Sequence, residues 1–342
     1  MTHGSRAAPD GPIRVSVIVT TRDRHKALRR VLDALTSQDV DPASYEIVVV
    51  DDGSCDSTAP MLAAETDARL RVVRRATAGG PGLARNSGAA VAVGEWLAFT
   101  EDDVVIDRSW LGRALPHLDD ASAGMIEGLT VDAATSRPLR HREPDPVPSF
   151  IPTNLFVRRT VFTDLGGYDA DFFDPDRDLY FREDADLGFR ALEAGVGHRV
   201  VDDVVVGHPA QFERAAACYR HARRYEFDPL LYRRHPHLYR RLIEIKRFGR
   251  LRVHRPSHLA ALAALGGWLA LAVGVTLEEW LIAVAGLALA AAGTLAFALR
   301  YRAGLAGIAL AGRVAALLPL PLVYLWAVVR GCIRHRTVGV LW

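Results

Sequence analysis

The chain has 342 residues, with 42 Lys plus Arg against 40 Asp plus Glu, so its formal net charge is only +2. That length holds one large domain or two ordinary ones. Three scattered cysteines, Cys55, Cys218 and Cys332, exclude a disulfide framework and a Cys-based metal site, which makes a reducing compartment the expectation.

Residues 1–12, Met-Thr-His-Gly-Ser-Arg-Ala-Ala-Pro-Asp-Gly-Pro, are polar and read as a flexible tail with no signal peptide. Arg14 to Thr21 is a β-branched run and predicts a buried strand. Leu28, Val31, Leu32 and Leu35 then recur at helical spacing. A second strand, Tyr45 to Val50, runs into Asp51, Asp52 and Gly53, and Ser57 is expected to cap the helix after it. Arg69 to Arg75 gives a third strand, and Gly79-Gly80-Pro81-Gly82 opens another helix. A fourth strand, Glu95 to Thr100, delivers Glu101, Asp102 and Asp103 in a row. Alternating strands and helices predict an α/β domain with a doubly wound, mostly parallel sheet. Ligands of such sheets sit beyond the carboxyl ends of the strands, where both acidic groups fall. Adjacent carboxylates repel one another, and a divalent cation is the natural counter-charge. No G-x-G-x-x-G follows the first strand and no P-loop occurs, which argues against a dinucleotide oxidoreductase and a P-loop nucleotidase.

Five segments in order, Val15 to Arg24, Glu46 to Thr58, Gly79 to Val104, Asn154 to Phe173 and Arg182 to Gly195, resemble the family 2 glycosyltransferases with the GT-A fold, a Rossmann-like sheet. The resemblance covers about Val15 to Pro209. It implies an inverting transfer from a nucleotide-sugar donor that uses Mn²⁺ or Mg²⁺, for which oxygen ligands are suited. Aligned to the family's D-x-D, Asp103 is the metal ligand, Glu101 meets the donor ribose or the metal, and Asp102 lies between. Asp51 and Asp52 would recognise base and ribose, with Thr20 on the opening strand and Asn86 on the A-R-N-x-G helix beside them. Arg85 and the N–H groups of Gly79 to Gly82 would offset pyrophosphate charge. Asp184 is expected as the base that deprotonates the acceptor hydroxyl, Glu183 being the second choice. Asp186 and Arg190 are expected to form a structural pair. His208, 24 positions beyond Asp184, stands where some family members place an additional metal ligand; a structural histidine is the alternative. Asp169 to Phe181 reads as a lid or an exposed loop. The opening turn, Thr20-Thr21-Arg22-Asp23, lacks the family's aromatic residue.

The organisation expected is a GT-A domain over 13–210, basic amphipathic juxtamembrane helices over 211–257, and a transmembrane region over 258–330, ending in a tail over 331–342. Two apolar stretches, His258 to Leu277 and Trp280 to Leu299, have the length of membrane spans and are separated by Glu278 and Glu279. A third, Leu305 to Val329, either spans, leaving Arg330, Arg334 and Arg336 outside against the positive-inside rule, or is interfacial or re-entrant. The expectation is a multi-pass cell-membrane protein with its catalytic domain in the cytosol. The Arg- and Tyr-rich stretch from Arg214 to Arg255 reads as a contact for anionic lipids rather than nucleic acid. Gln211 to Ala215 touches the Q-x-x-R-W signature of processive synthases but lacks the Trp. Single-sugar transfer to a lipid-linked or other glycan acceptor is therefore preferred, in cell-envelope polysaccharide or glycolipid synthesis. A polyprenyl-phosphate glycosyltransferase is the runner-up, disfavoured by the Glu183-Asp184 pair. A degenerate, non-catalytic sugar-binding protein and a phosphodiesterase are weaker alternatives.

Overall fold

The computed structural model describes residues 12–139, 149–209, 215–243, 245–248, 251–254, 256–300, 312 and 315–338. It divides into two compact units, Met1–Pro209 and Ala210–Trp342.

In the first unit, β1 (Val15–Thr21), β2 (Tyr45–Asp51), β3 (Leu70–Arg74) and β4 (Trp96–Glu101) alternate with α1 (His25–Thr36), α2 (Thr58–Ala63) and α3 (Gly80–Val91). All seven residues of β2 are buried, as a strand covered by helices on both faces requires. The α1 stripe of Leu28, Val31, Leu32 and Leu35 packs into this core. After α2 and α3 the chain continues through β5 (Val105–Ile106), α4 (Trp110–Leu118), β6 (Met125–Asp132), β7 (Leu155–Arg158) and α5 (Arg159–Asp164). It ends with β8 (Phe173–Asp174), β9 (Leu179–Tyr180), α6 (Glu183–Glu193) and β10 (His198–His208). The main sheet has the order β3-β2-β1-β4-β7-β6-β10-β5. Pairs β1–β2, β1–β4, β2–β3 and β6–β10 are parallel, while β4–β7, β6–β7 and β5–β10 are antiparallel. The sheet is thus mostly parallel as expected, with antiparallel joints that the strand–helix alternation did not reveal.

Those joints build the site. The β4–β7 register pairs Phe99 with Leu155, so Thr153 falls opposite Glu101. The β5–β10 register pairs Val105 with Gly207, which brings the next residue, His208, back beside the acidic triplet. A register shift in β10 between Val200 and Val205 is the kind of irregularity that re-aims a strand end. Asp169 to Phe181 is a one-turn 3₁₀ helix (Ala170–Phe172) followed by the β8–β9 hairpin. The cap expected of Ser57 is supplied differently: Ser57 makes no side-chain cap bond, and Asp56 accepts from the Thr58 N–H at 2.9 Å. A carboxylate one residue earlier thus satisfies the first N–H of the helix, a different orphan donor from the one an N-cap serine serves.

The second unit opens with α7 (Ala215–Arg224), a 3₁₀ turn (Tyr225–Phe227), α8 (Asp228–Arg234) and α9 (Pro236–Leu242). An antiparallel hairpin follows, β11 (Ile245–Phe248) and β12 (Leu251–His254). The expectation of helices throughout 211–257 is corrected there; Ile245, Phe248 and Val253 are residue types that favour strands. Then come α10 (Pro256–Thr276), α11 (Trp280–Arg300) and α12 (Leu320–Arg334). Helices α10 and α11 pack along a seam of small residues. A Cβ on Gly274 would meet the backbone of Ala283, and one on Gly293 would lie 2.6 Å from the Ala260 carbonyl. Close backbone approach of this kind is typical of helices in a bilayer. Among the described residues, α10 is the one helix long and apolar enough to cross a membrane, while the apolar part of α11, Trp280–Ala296, is shorter. Most of Gln211 to Ala215 and residues 305–311 of the third apolar stretch lie outside the described residues.

Candidate active site

Glu101 ends β4, Asp103 lies two residues on, and His208 ends β10. Their ligand atoms all lie within 4.8 Å of one another. His208 Nε2 is 3.1 Å from Glu101 Oε2 and 3.8 Å from Asp103 Oδ1. The other ring nitrogen, Nδ1, bonds the Pro209 carbonyl at 2.8 Å. That bond makes Nδ1 a donor and aims Nε2 at the acids: protonated, Nε2 donates to Glu101, and deprotonated it would offer its lone pair to a metal, the arrangement metal-binding histidines use. Two carboxylates and one imidazole form an oxygen-rich donor set that fits Mn²⁺ or Mg²⁺.

The charges here depend on one another. Burial alone would raise the Glu101 carboxyl, but the bond from His208 and the charge of Arg85 outweigh it and hold it at about 2. Burial opposes charge on His208, yet Glu101 and Asp103 raise its pKa. Asp102 goes the other way. Burial pushes it up to about 6, with bonds from Thr21 and Arg24 opposing and Asp103 adding to the rise.

Arg85, on α3, is 3% exposed. It lies 3.7 Å from Glu101 and 3.8 Å from Glu183, with Tyr168 under its guanidinium at 5.5 Å. Burial opposes its charge, while Tyr168, Glu101 and Glu183 keep its pKa raised. Its Nε and Nη1 atoms are buried and make no hydrogen bond. Arg85 therefore links the metal-type cluster to the start of α6. There Arg182 takes a left-handed φ of 74° before the helix, and Glu183 is buried. Asp184 is half-buried and accepts from the Ala185 N–H at 2.7 Å. The pair expected of Asp186 and Arg190 is present at 2.8 Å, and Arg190 also donates to the carbonyls of Leu165 and Gly167.

Several residues expected at the donor are engaged by the chain itself. Asp52 accepts from the Gly79 and Gly80 N–H groups at 2.9 Å and pairs with Arg75 at 2.7 Å. The α3 N-terminus is thus filled by an internal carboxylate, a correction to its reading as a pyrophosphate cradle. A helix start favours any anion, and Asp52 is near enough to supply one. Asn86 uses both ends of its amide on the Tyr168 backbone, donating to O at 2.7 Å and accepting from N at 2.8 Å. Asp102 accepts from Thr21 Oγ1 at 2.7 Å and from Arg24 at 3.2 Å. These bonds tie it to the opening turn. Asp51 accepts from the Ser54 N–H at 2.8 Å, which is the Asx-type bond expected, and its Oδ2 faces Arg74 at 3.5 Å. Thr20 lies in register with Glu101 on the neighbouring strand and is partly exposed.

Sequence reasoning missed four participants. Thr153 donates to Glu101 Oε2 at 2.8 Å. Arg24 bonds Asp103 at 2.5 Å. Thr21 holds Asp102, and Tyr168 lies under Arg85. Strand polarity would have exposed Thr153, but nothing local marks β7 as antiparallel. Arg24 was visible as the second arginine of the opening turn.

The fold, with its acids gathered at strand ends, is of the GT-A type. The Glycosyl transferase family 2 model matches residues 16–186, which is 171 of 342 residues. The chain belongs to glycosyltransferase family 2. It is similar to the pre-mycofactocin glycosyltransferase of Mycobacterium tuberculosis (strain ATCC 25618 / H37Rv), 28% identical over 58% of this chain and 44% of that protein. It is also similar to the succinoglycan biosynthesis protein ExoO of Rhizobium meliloti, 31% identical over 42% of this chain and 43% of that one. The chain thus spans less than half the length of these relatives. Among solved structures it resembles the mannosyltransferase PcManGT of Pyrobaculum calidifontis in complex with GDP-Man and Mn²⁺. The TM-score is 0.54 at 18% identity, covering 96% of this chain and 88% of that one. S. aureus TarS 1-349 in complex with UDP gives a TM-score of 0.50 at 18% identity, covering 92% and 91%. At this identity the likeness concerns the fold.

Proposed function

We propose that the protein is an inverting glycosyltransferase that moves a single sugar from a nucleotide-sugar donor to a hydroxyl of a lipid-linked or other glycan acceptor, in cell-envelope polysaccharide or glycolipid synthesis. The observation that carries this reading is the convergence of Glu101, Asp103 and His208 within 4.8 Å at the strand ends. These three would hold Mn²⁺ or Mg²⁺. A bound divalent ion supplies Lewis-acid stabilisation for the departing nucleoside diphosphate.

The rest is done by the chain. Asp51 offers carboxylate oxygens to a base N–H or ribose hydroxyl, with Thr20 on the adjoining strand. Arg85 stays charged beside Glu101 and Glu183 and meets the negative charge that grows on the leaving group. Asp184 takes the proton from the acceptor hydroxyl as its oxygen bonds to the anomeric carbon opposite the departing nucleoside diphosphate, which inverts the configuration there. Asp52, Asn86 and Asp102 shape the loops that carry these groups. Mn²⁺ and the GDP-Man and UDP ligands in the similar structures support the donor class. We further propose that α10 and α11 form a membrane hairpin and that the N-terminal domain is cytosolic, placing the enzyme where lipid-linked acceptors reside.

The test is binding and turnover of a nucleotide-sugar panel by detergent-solubilised protein, with Mn²⁺, with Mg²⁺ and with EDTA. Asp103→Ala is expected to lose metal-dependent binding. Asp184→Asn is expected to keep binding and lose turnover. No metal-dependent binding to any donor would overturn the enzyme reading in favour of a non-catalytic protein.

A further inference from the structure

The C-terminal helix α12 has two contrasting faces. Leu322, Trp326, Val329 and Ile333 recur at i, i+4, i+7 and i+11, so they share one face of the helix. They are 42%, 64%, 37% and 70% exposed. On the other face Leu320, Tyr324, Ala327, Val328 and Gly331 are buried.

What the buried face rests on decides where α12 runs. Tyr219, on α7, donates to the Ala316 carbonyl at 2.9 Å, just before α12 begins. Further along, the Tyr225 and Tyr324 rings meet edge-on at 4.6 Å. Next, buried Glu226 pairs with Arg330 at 3.2 Å and with Arg334 at 3.5 Å. Last, Arg233, on α8, donates to the His335 carbonyl at 3.2 Å. The partners advance together, 219 to 233 against 316 to 335, so α12 follows α7 and α8 from end to end. That stretch carries Arg220, Arg223, Arg224, Arg233 and Arg234. So many cations in one short stretch do not cross a hydrocarbon core, and a helix docked along them from end to end does not cross it either. The Tyr324 hydroxyl also meets His258 Nδ1 at 2.8 Å, beside the first turn of α10. The middle of α12 is therefore level with the point where the chain enters its apolar hairpin.

We propose that α12 is an interfacial helix that lies in the surface of the lipid bilayer on the side of the N-terminal domain. Its Leu322–Trp326–Val329–Ile333 stripe sinks among the upper acyl chains, and Arg330 and Arg334 lie at headgroup level. An exposed tryptophan flanked by aliphatics, with arginines at its edges, has the chemistry of such a surface. The exposed apolar residues of the adjoining hairpin, such as Leu259, Leu262 and Leu269, continue the same lipid contact. The placement removes the charge conflict of the third apolar segment, because Arg330, Arg334 and Arg336 stay on the domain side. It rests on the reading that α10 and α11 span.

Two measurements on the full chain test it. The first is labelling by a membrane-impermeant maleimide in intact and permeabilised cells, with Cys218→Ala and Cys332→Ala as background. Exposed Cys55 marks the domain side, Glu279→Cys marks the hairpin turn, and Val338→Cys marks the end of α12. Cys55 and the probe at 338 are expected to label only after permeabilisation, and the probe at 279 in intact cells. Labelling at both 279 and 338 in intact cells overturns the proposal. Labelling at 279 only after permeabilisation refutes the spanning hairpin, and the second measurement then decides α12 by itself. That measurement is tryptophan quenching in vesicles of phosphatidylcholine brominated near the top of the acyl chains, comparing the native protein with Trp326→Phe. Quenching is expected to fall in Trp326→Phe. Equal quenching in both overturns the lipid contact whatever the labelling shows.

Discussion

Thr153→Val separates the position of Glu101 from the stability of the fold. Thr153 is 2% exposed and its hydroxyl donates to Glu101 Oε2 at 2.8 Å. Valine keeps the shape and removes that donor, and the Thr153 carbonyl still accepts from Thr100 Oγ1 at 3.0 Å. A hydrogen bond to a charged group contributes about 1.5–3 kcal/mol. The Glu101 side chain is 29% exposed, so water replaces part of the loss and the lower end applies, about 1.5 kcal/mol or roughly tenfold in an equilibrium. Groups that orient a metal ligand typically change metal affinity by about 10- to 100-fold when removed, which agrees. The assay is Mn²⁺ titration followed calorimetrically, with thermal melting alongside. Roughly tenfold weaker Mn²⁺ binding is expected with melting nearly unchanged, and Thr153→Ser should bind as the native protein does. Native Mn²⁺ affinity in a folded Thr153→Val would refute the idea that Thr153 aims Glu101 at the ion.

Gly188→Ala is expected to lower the melting temperature by the equivalent of about 1–3 kcal/mol, as overpacked cores do, because its Cβ would fall inside the Phe150 ring; unchanged melting would sink this. Asn86→Ala should also destabilise the fold, by about 1–3 kcal/mol for the peptide groups left unpaired, while donor binding by the folded fraction stays within about threefold, roughly 0.6 kcal/mol. A selective loss of donor binding at unchanged melting would instead make Asn86 a ligand contact. Glu127 gives a pH prediction. Burial would raise its pKa, but His198 facing it at 3.6 Å and the bonds from Ser149 and the Phe150 N–H lower it below 4.5. A depressed acid contributes stability above its unfolded value and loses it as pH falls toward the folded value. The melting difference between the native protein and Glu127→Gln should therefore be full at pH 7 and shrink below 4.5. A difference that stays constant down to pH 4 would refute it.

Much of this was legible in the sequence because the parallel half of the sheet is local. Each βα unit from Val15 to Glu101 carries its own apolar run followed by a helix, and β2 and β4 end in acids, so order and polarity can be read residue by residue. The antiparallel half is not local. Nothing in Leu155–Arg158 says that it runs against β4, and so the partnership of Thr153 with Glu101 could not be read. His208 was legible as a histidine at a strand end, where the resemblance offers a metal ligand; the β5–β10 register is what returns it to Asp103. The internal bonds of Asp52 and Asn86 were hidden for a related reason. A side chain of the expected type in the expected place can be consumed by a neighbouring backbone, and only coordinates show the bond. The β11–β12 hairpin was hidden by arginines that suit a helix and a strand about equally.

The charge pairing supports the proposal of Asp184 as the base. Seven acids line or support the strand ends: Asp51, Asp52, Glu101, Asp102, Asp103, Glu183 and Asp184. Arg74 faces Asp51, Arg75 faces Asp52, and Arg24 spans Asp102 and Asp103. Arg85 lies between Glu101 and Glu183, and His208 joins Glu101 to Asp103. Among the described residues no arginine or histidine pairs with Asp184, whose recorded bond comes from the Ala185 N–H. A carboxylate clamped by a guanidinium is a poor base, because the cation stabilises the charged form and lowers its affinity for a proton. Arg85 stands 3.8 Å from Glu183, and among the described residues no ion pair is made by the next residue along the same helix turn. The proposed mechanism therefore gives two adjacent acids at one helix start different tasks, Glu183 to hold Arg85 and Asp184 to accept a proton.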